Sequence, residues 1–296
     1  MILPGLSPST VSLSLEGWTL RVLETRGRQV HLWATIPFNP SLIKDGVVAD
    51  AEGLGRVIRD TFRTARLPRR KVVFAIGLPQ AMLRVITFPK VKGAPLDKVV
   101  DREIRRQLPG IHENTFVSWQ ALDGESTAQS RVYVLAVPQA PVLAFLAALK
   151  VGGVRPTSMD LRAMALARSV NQKDAILANL EANSVDVVIV LDDIPVLMRS
   201  MYLSDDPVPF DVAQERFLSE LSRSISFYNE TNRANPLADD LPIYLTGDLA
   251  SDPDLAPLVE QNTGHAVSLA DPPFAFPPDL PLSQFMVNIG LALKEL

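Results

Sequence analysis

One order of secondary-structure elements occurs twice along the chain, and that repetition constrains the fold more than any single motif. Val11, Leu13 and Leu15 alternate with Ser12 and Ser14, the period of two that marks a half-buried strand. Glu16-Gly17 turns the chain into a second strand through Leu20-Arg21-Val22-Leu23, and Arg26-Gly27-Arg28 turns it into a third that places Val30, Leu32, Ala34 and Ile36 on one face. A helix follows with Leu54, Val57, Ile58, Phe62 and Ala65 on one stripe. Residues 72–78 then run almost wholly apolar, as a strand covered on both faces does. About 165 residues later the order returns: strands over 175–180, 185–191 and 195–201, a helix over 212–228 with Phe217, Leu221, Ile225 and Tyr228 at helical spacing, and a strand over 242–246. The repeat lies in topology, since the two stretches share no visible sequence similarity. It predicts an α/β protein made of two β-β-β-α-β halves.

Between the halves lies a segment with its own pattern. It reads as a strand over 82–88, a helix over 95–108 and strands over 116–121 and 131–137 separated by the polar loop 123–130. A helix over 140–151 then ends at Gly152-Gly153, residues that tolerate the left-handed cap conformation. In the first helix Leu96, Val99, Val100 and Ile104 face inward and Arg102, Arg105 and Arg106 outward. The expected division is a first half at 1–81, an inserted β-α-β-β-α lobe at 82–153 and a second half at 154–296. A Pro-rich stretch over 271–281 leads to a last amphipathic helix over 282–296.

Composition narrows the function classes. The 29 Lys+Arg against 33 Asp+Glu give a net charge of −4, so no global basic field attracts nucleic acid. The absence of cysteine excludes a disulfide framework, thiolate catalysis and cysteine-ligated metal sites. No segment approaches the roughly 18 apolar residues of a membrane span, and Met1-Ile2-Leu3-Pro4-Gly5 lacks the basic and apolar regions of a secretory signal. The expectation is a cytoplasmic protein. His31, His112 and His265 have no second ligand three or four residues away, and the pairs Asp192-Asp193, Asp205-Asp206 and Asp239-Asp240 sit beside turn formers. Gly53-Leu54-Gly55 opens a helix without a preceding strand, and no phosphate-binding loop, hydrolase elbow or kinase signature occurs. One charge cluster stands out. Arg63, Arg66, Arg69, Arg70 and Lys71 crowd the end of the first long helix. They complement its dipole, and they offer a second use as a contact for anionic lipid headgroups or an acidic partner.

Four passages carry a family resemblance. Ile43-Lys44-Asp45-Gly46-Val47-Val48-Ala49-Asp50 follows the third strand. Phe88-Pro89 precedes Glu103 and Leu108-Pro109. Glu220-Leu221-Ser222-Arg223-Ser224-Ile225-Ser226-Phe227-Tyr228 forms the long helix, and Ile289-Gly290-Leu291-Ala292-Leu293-Lys294 closes the chain. In this order they resemble the PilM family of type IV pilus assembly proteins, actin-like relatives of the cell-division protein FtsA. The resemblance implies an actin-like, ribonuclease H-like fold with a nucleotide cleft between its halves.

In such folds two hairpins clamp the phosphates through backbone N–H groups, with glycines for close approach and carboxylates for Mg²⁺. The matching stretches here are Ser14-Leu15-Glu16-Gly17 and Asn179-Leu180-Glu181, and the adenosine-side glycine pair is reduced to Gly247-Asp248. Each hairpin therefore places a glutamate where a phosphate approaches, and like charges a few ångströms apart in a cleft repel by several kcal/mol at an effective dielectric of about 20. The expected reading is a degenerate cleft and no cofactor. The lobe that the family usually carries before the long helix is replaced here by the short loop 201–211. The resemblance then implies an assembly role: a non-catalytic cytoplasmic scaffold of a type IV pilus-type machine or a related secretion or competence system, peripheral at the inner membrane. It would bind the short cytoplasmic tail of a bitopic PilN-type partner in a groove involving the first half and the insert. Leu83, Val85, Phe88, Val99, Glu103 and Ile104 are the candidate partner-binding residues, and the apolar ones equally suit the insert's own core. The alternative is an actin-like ATPase or ATP-sensing switch in which Glu16 or Glu181 serves Mg²⁺. A sugar kinase-like phosphotransferase on the same topology would need an aspartate base that no motif selects.

Overall fold

The computed structural model describes residues 9–90, 95–108, 111, 114–122, 129–204 and 208–295. Pro109, His112, Asp205, Asp206 and most of the polar loop 123–130 lie outside the described residues. The chain forms two compact units, one of Met1–Pro79 with Ala144–Leu296, the other of Gln80–Leu143.

The first unit opens with β1 (Ser9–Glu16), β2 (Thr19–Arg26) and β3 (Gln29–Pro37). A small hairpin of β4 (Ile43–Lys44) and β5 (Val47–Val48) follows. Asp50 then accepts a hydrogen bond from the Gly53 N–H at 2.8 Å and so caps α1 (Ala51–Thr64), which leads to β6 (Val72–Ile76). The second unit holds β7 (Met82–Pro89), α2 (Leu96–Gln107), β8 (Thr115–Ala121) and β9 (Gln129–Pro138). The chain returns through α3 (Gln139–Val151) to β10 (Ser158–Leu161) and α4 (Arg162–Val170). The remaining elements are β11 (Ala175–Glu181), β12 (Ser184–Leu191), β13 (Ile194–Tyr202), α5 (Phe210–Thr231), β14 (Ile243–Thr246), α6 (Leu255–Thr263), β15 (Val267–Ser268) and α7 (Leu282–Leu293).

The repeat seen in the sequence is a repeat of sheet topology. One sheet has the order β3-β2-β1-β6-β10 and the other β13-β12-β11-β14-β15. In both, the first three strands pair antiparallel and the last two add parallel to the first strand. Each half therefore contains a fifth strand that sequence periodicity did not show, and the short helices α4 and α6 were likewise not read from it. β10 and β15 span four and two residues, too short for a period to register.

Two sequence expectations are revised by burial. Ser12 and Ser14 were assigned to a solvent face, yet both are fully buried. Helix α7 crosses that face: Ser14 Oγ donates to Asn288 Oδ1 at 3.0 Å and Asn288 Nδ2 donates to the Ser12 main-chain carbonyl at 3.1 Å, while the Ser12 hydroxyl donates to the Leu23 carbonyl at 3.4 Å. Accordingly α7 is not amphipathic. Every residue from Phe285 to Ala292 is buried, as befits a helix apolar on all sides. It packs against α4 so closely that a Cβ on Gly290 would lie 1.8 Å from the Ala165 carbonyl oxygen. Arg168 Nη1 donates to the Gly290 carbonyl at 2.7 Å across the same contact. The α4–α7 pair anchors one core cluster, with Leu166, Leu177, Val188, Phe285 and Leu291. A second core fills the space between the β11-containing sheet, α5 and α6.

In the second unit the three strands take the order β7-β9-β8, all antiparallel. Its core joins Ile86, Phe88, Val132 and Val134 of the sheet to Val99, Val100 and Ile104 of α2.

Candidate functional site

Two turns occupy equivalent places in the two halves. Gly17-Trp18 joins β1 to β2, and Ala182-Asn183 joins β11 to β12. They meet tip to tip. A Cβ on Gly17 would lie 3.7 Å from Ala182 Cβ and 3.8 Å from Asn183 Oδ1, an ordinary van der Waals separation.

Behind this contact a set of buried charges crosses between the halves. Arg21, reaching out of β2, grips Glu181 at the end of β11 through Nη1–Oε1 at 2.7 Å and Nη2–Oε2 at 2.8 Å. The same Nη1 donates to the Gln284 carbonyl of α7 at 2.8 Å, and the half-exposed Asp248 stands 3.9 Å from Nη2. Arg162, the first residue of α4, donates from Nη1 to Glu16 Oε2 and to the Leu15 carbonyl, each at 3.2 Å. Its Nη2 lies 3.1 Å from Asp186 Oδ2 on β12, and Ser200 also donates to Asp186. Asn179 Nδ2 donates to Asp186 Oδ2 at 3.3 Å and Thr246 Oγ1 donates to Asn179 Oδ1 at 3.0 Å. Bidentate guanidinium–carboxylate pairs are the geometry in which buried charge is best compensated.

The charges do not balance unless one proton is added. Two guanidiniums, Arg21 and Arg162, face three carboxylates, Glu16, Glu181 and Asp186, all five nearly or fully buried. Glu16 is the place for that proton. Its Oε1 has no hydrogen-bond partner, and burial pushes its carboxyl up to about 8, with Arg162 opposing and Glu181 adding to the rise. Burial likewise raises the Glu181 carboxyl while Arg21 opposes it, and the two-point grip at 2.7 and 2.8 Å is that of an ionised pair. Against the effect of burial, Glu181 raises the Arg21 guanidinium, and Asp186 does so for Arg162.

The structure thus brings all seven cleft residues read from the sequence, Ser14, Glu16, Gly17, Asn179, Glu181, Gly247 and Asp248, to one place. It revises their role. The glutamates were expected to present bare like charges to a phosphate; instead each is paired with an arginine that sequence reading passed over. Arg21, Arg162, Asp186 and Asn288 carried one usable signal, a polar residue inside an apolar run, as in Leu20-Arg21-Val22 and Val185-Asp186-Val187.

Nucleotide fits poorly here. The space between the turns is closed by direct contact, and the adjoining cavity, lined by Gly17, Gly46, Arg162, Asn183 and Tyr202, has about 20 Å³ open to a water's centre, room for one or two waters. Gly247 has φ +98° and its Cβ position would lie 2.3 Å from the Leu180 carbonyl oxygen, so its backbone is pressed onto β11 and not open to a base. Among the described residues no group of His, Asp and Glu is placed to hold a metal ion. His31 is exposed on β3, and His265 is buried with Nδ1 2.9 Å from the Leu241 carbonyl.

The partner-binding candidates divide by sheet face. Phe88, Val99 and Ile104 belong to the core between α2 and its sheet. Glu103 is buried beside them and accepts from Arg106 at 2.6 and 2.9 Å and from Gln107 at 3.1 Å. Leu83 and Val85 lie on the opposite sheet face. Strand alternation and register put Tyr133, Leu135, Val137 and Phe116 there with them. Leu83 is buried, Val85, Leu135 and Val137 are half-buried, and Phe116 is 46% exposed.

No protein-family profile matches the sequence, and no curated protein is matched by it. Solved structures are matched over nearly the whole chain. A PilM–PilN type IV pilus biogenesis complex aligns over 98% of this chain and 99% of its own with a TM-score of 0.77 at 23% identity. The fold is actin-like. The ethanolamine utilization protein EutJ of Carboxydothermus hydrogenoformans aligns over 99% of this chain and 92% of its own, with a TM-score of 0.53 at 13% identity. A Bacteroides thetaiotaomicron protein with an actin-like ATPase fold and unknown function aligns over 99% of both chains with a TM-score of 0.51 at 11% identity. The duplicated β-β-β-α-β halves and the inserted lobe are therefore those of an actin-like fold.

Proposed function

We propose that this protein is a non-catalytic scaffold of a type IV pilus-type assembly machine, held at the inner face of the membrane by the short cytoplasmic tail of a bitopic, PilN-type partner. The observation that carries the reading is the Arg21–Glu181 and Arg162–Glu16–Asp186 network, which joins the two halves where an actin-like ATPase keeps a gap for triphosphate. A rigid body follows, with its halves tied by their own side chains and not by a ligand. The likeness to a PilM–PilN complex supports a partner of that kind.

Within the second unit, the sheet face opposite α2 suits an extended apolar tail better than the residues around α2 do. Val85, Tyr133, Leu135, Val137 and Phe116 form an apolar strip there, and β8 is an edge strand beside it. Main-chain pairing on such an edge gives affinity, and side-chain pockets give register. The test is a titration of the purified protein with a peptide of the partner's cytoplasmic tail. Phe116→Ser with Val85→Ser weakens binding at least tenfold, with the melting temperature within a few degrees of the parent's. Unchanged affinity in that variant removes the strip as the docking face.

A further inference from the structure

The basic cluster read from the sequence is larger in the folded chain. On α1, Arg56, Arg59 and Arg63 form one outward stripe, opposite the buried Leu54, Ile58 and Phe62. Arg66, Arg69, Arg70 and Lys71 continue it beyond the helix. The end of α3 packs onto this surface. Arg59 donates to the Val151 carbonyl, and Arg69 Nη1 donates to the carbonyls of Gly152 and Gly153 at 2.7 and 2.9 Å. Those contacts bring in Lys150 and Arg155, both exposed, and Thr157 N–H binds the Val72 carbonyl next to Lys71 at 2.7 Å. Nine cations therefore share one face, against two acids, Glu52 and Asp60, within residues 51–71 and 148–157. That is a local charge of +7 in a chain of net −4, so the remaining residues carry −11.

We propose that this face binds a membrane surface rich in anionic phospholipid. Its make-up separates lipid from an acidic protein. A shape-specific protein interface is built on apolar or aromatic anchors that enter pockets. The large exposed apolar residues among those described are Leu96, Phe116, Val117, Leu143, Phe210, Phe227 and Leu269, none of them in the patch. A sheet of headgroups asks only for many long cationic side chains on one side. The opposite charge on the rest of the chain makes the molecule an oriented dipole at such a surface, within a Debye length of about 10 Å at 0.1 M salt. The inference stands on charge placement and does not depend on the proposed partner.

The test uses the full chain without partner and vesicles of phosphatidylcholine with about 30% phosphatidylglycerol, against vesicles of phosphatidylcholine alone. Arg63, Arg66 and Arg70 are exposed, with Arg63 paired to the likewise exposed Asp60 at 2.9 Å, whereas Arg69 covers the Phe62 ring and is left in place. The variant Arg63→Gln/Arg66→Gln/Arg70→Gln loses about fivefold in partition per cation, on the order of 100-fold in all. Binding of the parent falls steeply with added salt and is absent on phosphatidylcholine. Equal binding of parent and variant to the anionic vesicles, with both folded by circular dichroism, overturns the proposal. So does retention of the parent on an acidic polypeptide but not on the vesicles.

Discussion

Glu16 shows at the residue scale how an excess of buried acid is settled. With two guanidiniums and three carboxylates in one enclosed network, the folded state retains a proton on Glu16 that an unfolded chain gives up. Its carboxyl is pushed up by burial to about 8 from an ordinary value of 4.5. Between those values the native state binds more protons than the unfolded state, so this group's contribution to stability is present at low pH and is lost as pH rises toward 8. Denaturant unfolding followed from pH 5 to 8.5 tests the assignment. Glu16→Gln, which keeps the shape and removes the titration, flattens the decline and leaves the variant at least as stable as the parent at pH 8. A parallel pH dependence in parent and variant contradicts the assignment. The glutamates were visible in the sequence, and their arginine partners were not, because Arg21 and Glu181 are 160 residues apart and no periodicity links such positions.

At the element scale, the strands and the long helices were legible because their apolar spacing is long and regular, and the short elements were not. Helix α7 was found, but with the wrong surroundings: its apolar residues read as one stripe until the sheet and α4 enclosed every side. Gly290 marks that closeness. A methyl group there meets the Ala165 backbone, which has no rotamer to move, so Gly290→Ala is expected to cost about 3 kcal/mol or more. In a unit of this size that lowers the melting temperature by about 6–12 °C, measurable by calorimetry. A shift of less than about 2 °C would show that α4 and α7 separate readily. In the insert, the α2-side residues Phe88 and Val99 were candidates for docking because they are apolar. The structure places them in the lobe's core, where an aspartate unfolds the lobe, so losses of binding in such variants report on folding.

At the scale of the whole molecule, duplication and charge explain different things. The repeated strand order places the two hairpin turns opposite each other, and the side chains on those turns decide whether a ligand or the protein itself joins the halves. Here the protein does, through a network whose members come from β1, β2, α4, β11, β12, β13, β14 and α7. The two-half plan was legible because each half repeats an order of elements, while the closure depends on atoms brought together only by folding. The distribution of charge, +7 on one face and negative elsewhere, was half legible, since α3 contributes its cations only once it packs on α1. Isothermal titration of the purified chain with Mg-ATP tests the central claim most directly. The closed, ion-paired cleft predicts no heat of binding up to millimolar nucleotide and no rise in melting temperature. Saturable micromolar binding, abolished when Mg²⁺ is withdrawn, would contradict it.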